Sequence, residues 1–144
     1  MSLSTAANTT PGKVALELLA AKHARGEPIV MITAYDVAAA QMAQAAGVDL
    51  VLVGDTAAET VLGYPSTTRV SPEEMLALTA AVRRGLRSPL LVGDLPFGTY
   101  ETSNEQAVGP AQRLVKEAGA DVVKLERAGT SASARPRSSP QAFR

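Results

Sequence analysis

Leu50-Val51-Leu52-Val53-Gly54-Asp55 is an apolar run that stops at an acid, and the chain repeats the pattern twice, in Leu90-Leu91-Val92-Gly93-Asp94 and Val122-Val123-Lys124-Leu125-Glu126. Runs this short and this apolar suit strands covered on both faces of a parallel sheet better than they suit helices. If they are neighbouring parallel strands, their carboxylates meet at one rim. Two carboxylates about 5 Å apart at an effective dielectric of about 20 repel by roughly 3 kcal/mol, so a cation is expected between them.

Working outward, Ile29-Val30-Met31-Ile32-Thr33 is another continuous run, flanked by Pro28, and reads as a further buried strand. The Ala-rich segment Val37 to Ala46 ends at Gly47 and reads as a helix with a glycine just past its end. Ser71-Pro72-Glu73-Glu74 is a capping box with proline at the first helical position, opening a helix that runs to about Arg84 with Gly85 beyond it. Ser103 and Gln106 form a second such pair for a helix ending near Gly119. Pro110 lies inside it, and because an interior proline costs about 3 kcal/mol, a kink or a late start at Gly109 is expected. Upstream, Thr10 and Pro11 open a short leading helix with an apolar stripe of Val14, Leu18 and Leu19, closed at Gly26. Gly54 to Val70, rich in Gly, Thr, Ser and Pro, reads as a long loop, and such loops are usually functional.

There is also an internal echo. Ala46-Gly47-Val48-Asp49-Leu50-Val51-Leu52-Val53 resembles Ala118-Gly119-Ala120-Asp121-Val122-Val123-Lys124-Leu125. Four strands alternating with helices give an α/β fold with a parallel sheet, right-handed crossovers and a reactive rim at the strands' carboxyl ends.

The 144 residues are 46% hydrophobic and only 3% aromatic, which fits one globular domain with a core of small aliphatic side chains and no base-stacking surface. All 14 acids lie at or before Glu126, leaving ten basic residues against them there, a balance that disfavours nucleic acid. No cysteine is present, so thiolate and disulfide chemistry are excluded, and a cytoplasmic protein without a membrane partner is expected. Residues 1–12 read as a flexible start, 13–126 as the folded part. From Arg127 to Arg144 the Arg/Ser/Ala/Pro composition predicts disorder.

An acid at a strand's end often only caps the next helix, and Asp36 fits that role because its helix begins at once. Asp55 and Asp94 are each followed by loop, and Glu126 is a poor cap. Together they offer hard oxygen ligands suited to Mg²⁺, whereas one histidine and no cysteine make a poor ligand set for zinc. Lys124 shares a strand face with Glu126 and serves either a substrate carboxylate or a structural ion pair. His23, among Lys22 and Arg25, reads as a solvated surface residue.

The segments Ile32-Thr33-Ala34-Tyr35-Asp36, Val53-Gly54-Asp55, Gly63-Tyr64-Pro65-Ser66-Thr67, Ala81-Val82-Arg83-Arg84-Gly85, Asp94-Leu95-Pro96-Phe97 and Lys124-Leu125-Glu126 resemble, in order and spacing, ketopantoate hydroxymethyltransferase. The resemblance covers about Lys13 to Glu126. It implies a (β/α)₈ TIM barrel of which the first four β/α units are present. It also implies Mg²⁺ held by Asp55, Asp94 and Glu126, and a ketoacid, 3-methyl-2-oxobutanoate, contacted by Asp55, Thr56, Asp94 and Lys124. The implied reaction takes a one-carbon unit from 5,10-methylenetetrahydrofolate to give 2-dehydropantoate through an enolate, in a homo-oligomer.

Three departures accompany it. Thr56-Ala57-Ala58-Glu59 stands where the family usually has Ser-Leu-Gly-Met, and Arg127-Ala128 where it has Gly-Gly. A barrel of this kind takes about 250 residues, and the family's general base, a glutamate on a later strand, has no counterpart here, so no catalytic residue of that kind is expected within the chain. A truncated or frame-shifted product is the corresponding expectation for the tail. Two other readings stand beside the transferase: a Mg²⁺-dependent lyase of the phosphoenolpyruvate mutase and isocitrate lyase group, and a non-catalytic fragment.

Overall fold

A computed structural model describes residues 12–126. In chain order the elements are α1 (Leu16–Ala24), β1 (Met31–Thr33), α2 (Val37–Ala45), β2 (Leu50–Val53), α3 (Ala57–Thr60), a 3₁₀ turn (Thr67–Arg69), α4 (Pro72–Gly85), β3 (Leu90–Asp94), α5 (Asn104–Lys116) and β4 (Val122–Lys124). The four strands form one parallel sheet in the order β1-β2-β3-β4. Expectations for residues 1–11, including the Thr10–Pro11 cap, and for 127–144 lie outside the described residues.

The helix signals act as their chemistry dictates. Asp36 Oδ1 accepts from the Ala39 amide at 2.7 Å and caps α2, and Gly47, two residues past the helix, is in the left-handed region, φ 72°. Ser71 and Glu74 close the full capping box of α4. At α5 only half of the box forms. Ser103 accepts from the Gln106 amide, while the Gln106 side chain turns back to the Thr102 amide and hydroxyl.

The core lies between the sheet and α2 and α4, with Val51, Val53 and Leu91 from the strands meeting Ala40, Ala43, Met75 and Val82. A second cluster, Leu95, Tyr100, Ala107, Leu114, Ala118 and Ala120, lies under α5. Small side chains let α2 and α4 approach closely. A Cβ on Gly85 would sit 2.7 Å from the Val37 carbonyl oxygen and 2.8 Å from Ala40 Cβ. The expected stop glycine is therefore the last residue of α4, required by close approach and not by a turn.

Four other expectations are corrected. β1 is exposed along its length, with Met31 at 53% and Ile32 at 48%, because it pairs only with β2 among the described residues. α1 starts at Leu16, so Val14 precedes it and Leu18 stays exposed, leaving Leu19 as its buried residue. The stretch after Gly54 carries α3 and the 3₁₀ turn, the latter capped by Ser66 accepting from the Thr68 amide. Finally, α5 starts at Asn104 instead of late at Gly109, carries Pro110 inside it and ends at Lys116, short of Gly119. The Ser103 cap nucleates the first turns, and the proline removes only the one donor that would have met the Gln106 carbonyl.

The echoed segments have a common structural cause. Asp49 Oδ2 accepts from the Val30 amide at 2.9 Å and its other oxygen meets Lys22 Nζ at 2.6 Å. In the same way Asp121 Oδ2 accepts from the Leu91 amide at 3.0 Å, with Arg83 and Lys13 supplying the cations. Each aspartate fastens the amino end of its own strand to the strand before it.

Candidate metal and substrate site

Three strand ends build the site. β2 runs through Gly54 into Asp55, β3 ends on Asp94, and Glu126 lies two residues past β4. One carboxylate oxygen from each acid lies within 4.8 Å of the other two. The three acids picked from sequence thus converge, and they lie at the carboxyl rim as the parallel order requires. Asp94 is 1% exposed, Asp55 half-buried and Glu126 exposed.

Asp94 is paired on one side only. Its Oδ2 accepts from Lys124 Nζ at 2.7 Å and, weakly, from the Asp55 amide at 3.4 Å. Its Oδ1 is buried and has no hydrogen-bond partner. A buried carboxylate oxygen left bare costs on the order of 1–3 kcal/mol or more, so this is where a cation is wanted. All candidate donors are oxygens, the set that a hard divalent ion takes. The residues present therefore fit a divalent metal ion.

Burial pushes the Asp94 carboxyl up, against the opposing pull of Lys124. The Asp55 carboxyl also rises, through burial first and then the negative charge of Glu126. For Lys124, burial alone favours the neutral amine, but its bonds to Asp94 and to Glu126, the latter at 3.0 Å, outweigh burial and hold the ammonium above its ordinary value. The two sequence readings of Lys124 thus meet in one place, since it is an ion-pair partner that stands inside the candidate site.

Thr56 is exposed beside Asp55, and its Oγ1 lies 2.6 Å from the Tyr35 hydroxyl. Asp36 serves α2 and takes no part in the cluster, and His23 lies exposed on α1. Sequence reasoning missed Tyr35, although it lies in the Ile32–Asp36 motif just past β1. It also missed Tyr100, buried near the rim, whose phenol is pushed up by burial and then by the charges of Glu101, Glu126 and Asp94. The loop after Asp94 is pinned by Glu101, whose carboxylate accepts from the Gly98 and Tyr100 amides.

Among the described residues no helix is long and apolar enough to cross a membrane. Solved structures with the same fold include a putative phosphonomutase from Burkholderia cenocepacia J2315, with TM-score 0.61 and 20% identity over 74% of this chain and 40% of that one. Another is 2,3-dimethylmalate lyase, a PEP mutase/isocitrate lyase superfamily member, with TM-score 0.57 and 17% identity over 80% of this chain and 40% of that one. At such identities they show the fold alone, a four-stranded parallel α/β sheet that corresponds to part of a TIM barrel. Relatives in sequence are much closer. The 3-methyl-2-oxobutanoate hydroxymethyltransferase 1, mitochondrial, of Arabidopsis thaliana is 53% identical over 121 residues, 84% of this chain and 34% of its own length. The 3-methyl-2-oxobutanoate hydroxymethyltransferase of Corynebacterium jeikeium (strain K411) is 50% identical over 114 residues, 79% of this chain and 40% of its own. The chain therefore spans between a third and two-fifths of the length of these relatives. Residues 13–135 match the family described as ketopantoate hydroxymethyltransferase, and with half the aligned positions identical to its named members the chain belongs to that family of transferases.

Proposed function

We propose that the rim binds Mg²⁺ through Asp55, Asp94 and Glu126 and holds 3-methyl-2-oxobutanoate with Asp55, Asp94, Thr56 and Lys124. The reaction served is the transfer of a hydroxymethyl group from 5,10-methylenetetrahydrofolate to that ketoacid, giving 2-dehydropantoate in pantothenate biosynthesis. The observation that carries this reading is the convergence of three acids within 4.8 Å around a carboxylate with a buried, unpartnered oxygen.

Mg²⁺ in such a site supplies Lewis acidity, drawing charge from the substrate's keto and carboxylate oxygens and easing loss of the proton on the neighbouring carbon. The chain's own residues bind and orient. Lys124 brings a fixed positive charge to the side of Asp94, where it offsets the acids and is placed to meet a substrate carboxylate. The Thr56 hydroxyl, exposed next to Asp55, offers that carboxylate a hydrogen bond. Asp94 takes the buried position and Glu126 the exposed one, so the solvent side stays open for a ligand. Proton removal from the ketoacid and most folate contacts belong, on this reading, to the part of the relatives that this chain does not match. A homo-oligomer in the cytoplasm completes the proposal, although the plant relatives are named as mitochondrial.

Isothermal titration of the 144-residue chain with Mg²⁺, and then with 3-methyl-2-oxobutanoate, tests the reading. Mg²⁺-dependent ketoacid binding that disappears in Asp94→Ala is expected. Absence of Mg²⁺ binding by the folded wild-type chain would sink it.

A further inference from the structure

We infer that Tyr35 is a positioning residue for substrate binding, acting through the Thr56 hydroxyl. The inference rests on the reading of the site just given and adds a residue to it.

Tyr35 follows β1 and Thr56 follows β2, so their 2.6 Å contact ties two neighbouring strand ends at the rim. The two ends of the contact differ in freedom. The Tyr35 ring is partly buried and packed against the main core, whereas Thr56 is exposed. Between them lies Gly54, where a Cβ would come 3.4 Å from Thr56 Oγ1 and 3.8 Å from the Tyr35 hydroxyl oxygen. These are ordinary van der Waals separations, so the buried end of β2 runs directly beneath the pair of hydroxyls. The backbone of Thr56 is also held, since its carbonyl accepts from the Thr60 hydroxyl at 2.9 Å.

Two hydroxyls in contact have two protons, and their mutual bond uses one. The phenol is the stronger acid and the better donor, so Tyr35 donates and Thr56 accepts. Thr56 then keeps its own proton for an external acceptor, and accepting a hydrogen bond makes it a better donor in turn. An oxygen anion beside the Asp55 strand end is the acceptor that such an O–H serves, which on the present reading is the carboxylate of the ketoacid. Without the phenol, Thr56 is free to donate to other partners and to turn about its Cα–Cβ bond.

The test is a double-mutant cycle on the 144-residue chain, with 3-methyl-2-oxobutanoate affinity measured at saturating Mg²⁺. Tyr35→Phe keeps the ring and its packing. It is expected to weaken ketoacid binding about fivefold, the scale of one hydrogen bond, with Mg²⁺ affinity and melting temperature unchanged. Thr56→Val is expected to weaken it at least as much, and adding Tyr35→Phe to Thr56→Val to cost nothing more. Additive losses would overturn the inference by showing that Tyr35 acts without Thr56, and so would unchanged ketoacid affinity in Tyr35→Phe. If the wild-type chain binds Mg²⁺ but no ketoacid, the proposed function itself falls, and the inference falls with it.

Discussion

The Lys124 ammonium lies 2.7 Å from Asp94 Oδ2, and the register of β3 against β4 sets the backbones of these two residues directly opposite each other. Lys124 also reaches Glu126, so one cation serves two of the three converging acids. One cation faces three acids, and burial first, with the neighbouring negative charges a smaller contribution, raises the Asp94 and Asp55 carboxyls.

Those raised carboxyls give a pH signature. An acid whose pKa is higher in the folded state than in the unfolded one binds more protons when folded, so stability falls as pH rises through the window above the ordinary aspartate value. Asp94→Asn removes this contribution. Relative to wild type the variant is expected to gain stability from about pH 4 upward, the ordinary aspartate range, and saturating Mg²⁺ to reverse the ranking by stabilising wild type only. Urea denaturation of both proteins across pH 4–7 checks it, and a stability difference that does not change with pH speaks against a strained Asp94.

At the other end of the sheet Asp49 has the opposite sign. Burial favours its neutral form, but Lys22 and the Val30 amide more than compensate and hold the carboxyl below its usual range. Its contribution is therefore present above the unfolded pKa and lost as pH falls through the lowered folded one. Asp49→Asn is expected to cost about 2 kcal/mol at pH 7, the scale of hydrogen bonds to a charged group, with the cost shrinking in acid. Mg²⁺ affinity should not change, because Asp49 is at the amino end of the strands. Paired urea and Mg²⁺ titrations separate the two effects.

Gly85→Ala tests the packing of α2 on α4. The new methyl meets backbone, the Val37 carbonyl oxygen, which cannot rotate away. A loss of about 1–3 kcal/mol is expected for overpacking of this kind, although alanine is the better helix former. A variant as stable as wild type in thermal and urea melts would mean that the helices separate at no cost.

How much of this was legible beforehand follows from the range of each interaction. Apolar runs ending in Asp55, Asp94 and Glu126 mark strands because apolar continuity and length are local properties. The caps at Asp36, Ser71 and Ser103 work within three residues, so they too could be read from the chain, and the motif order was specific enough to point to the family. β1 misled because burial is not a property of the run itself. An apolar strand is buried only if something covers it, and among the described residues β1 has a neighbour on one side alone. Gly85 misled for a similar reason, since a glycine after a helix suggests a stop until its neighbour across the helix interface is known.

The sequence by itself therefore determined the alternation of strands and helices, the acids at the strand ends and the kinship. The tertiary structure decided which of those groups meet. Asp55 and Asp94 are 39 residues apart along the chain and Asp94 and Lys124 are 30 apart. Only the parallel register, which aligns the ends of successive strands at one rim, turns such separations into contacts, and the Tyr35–Thr56 bond between the first two strand ends has the same origin.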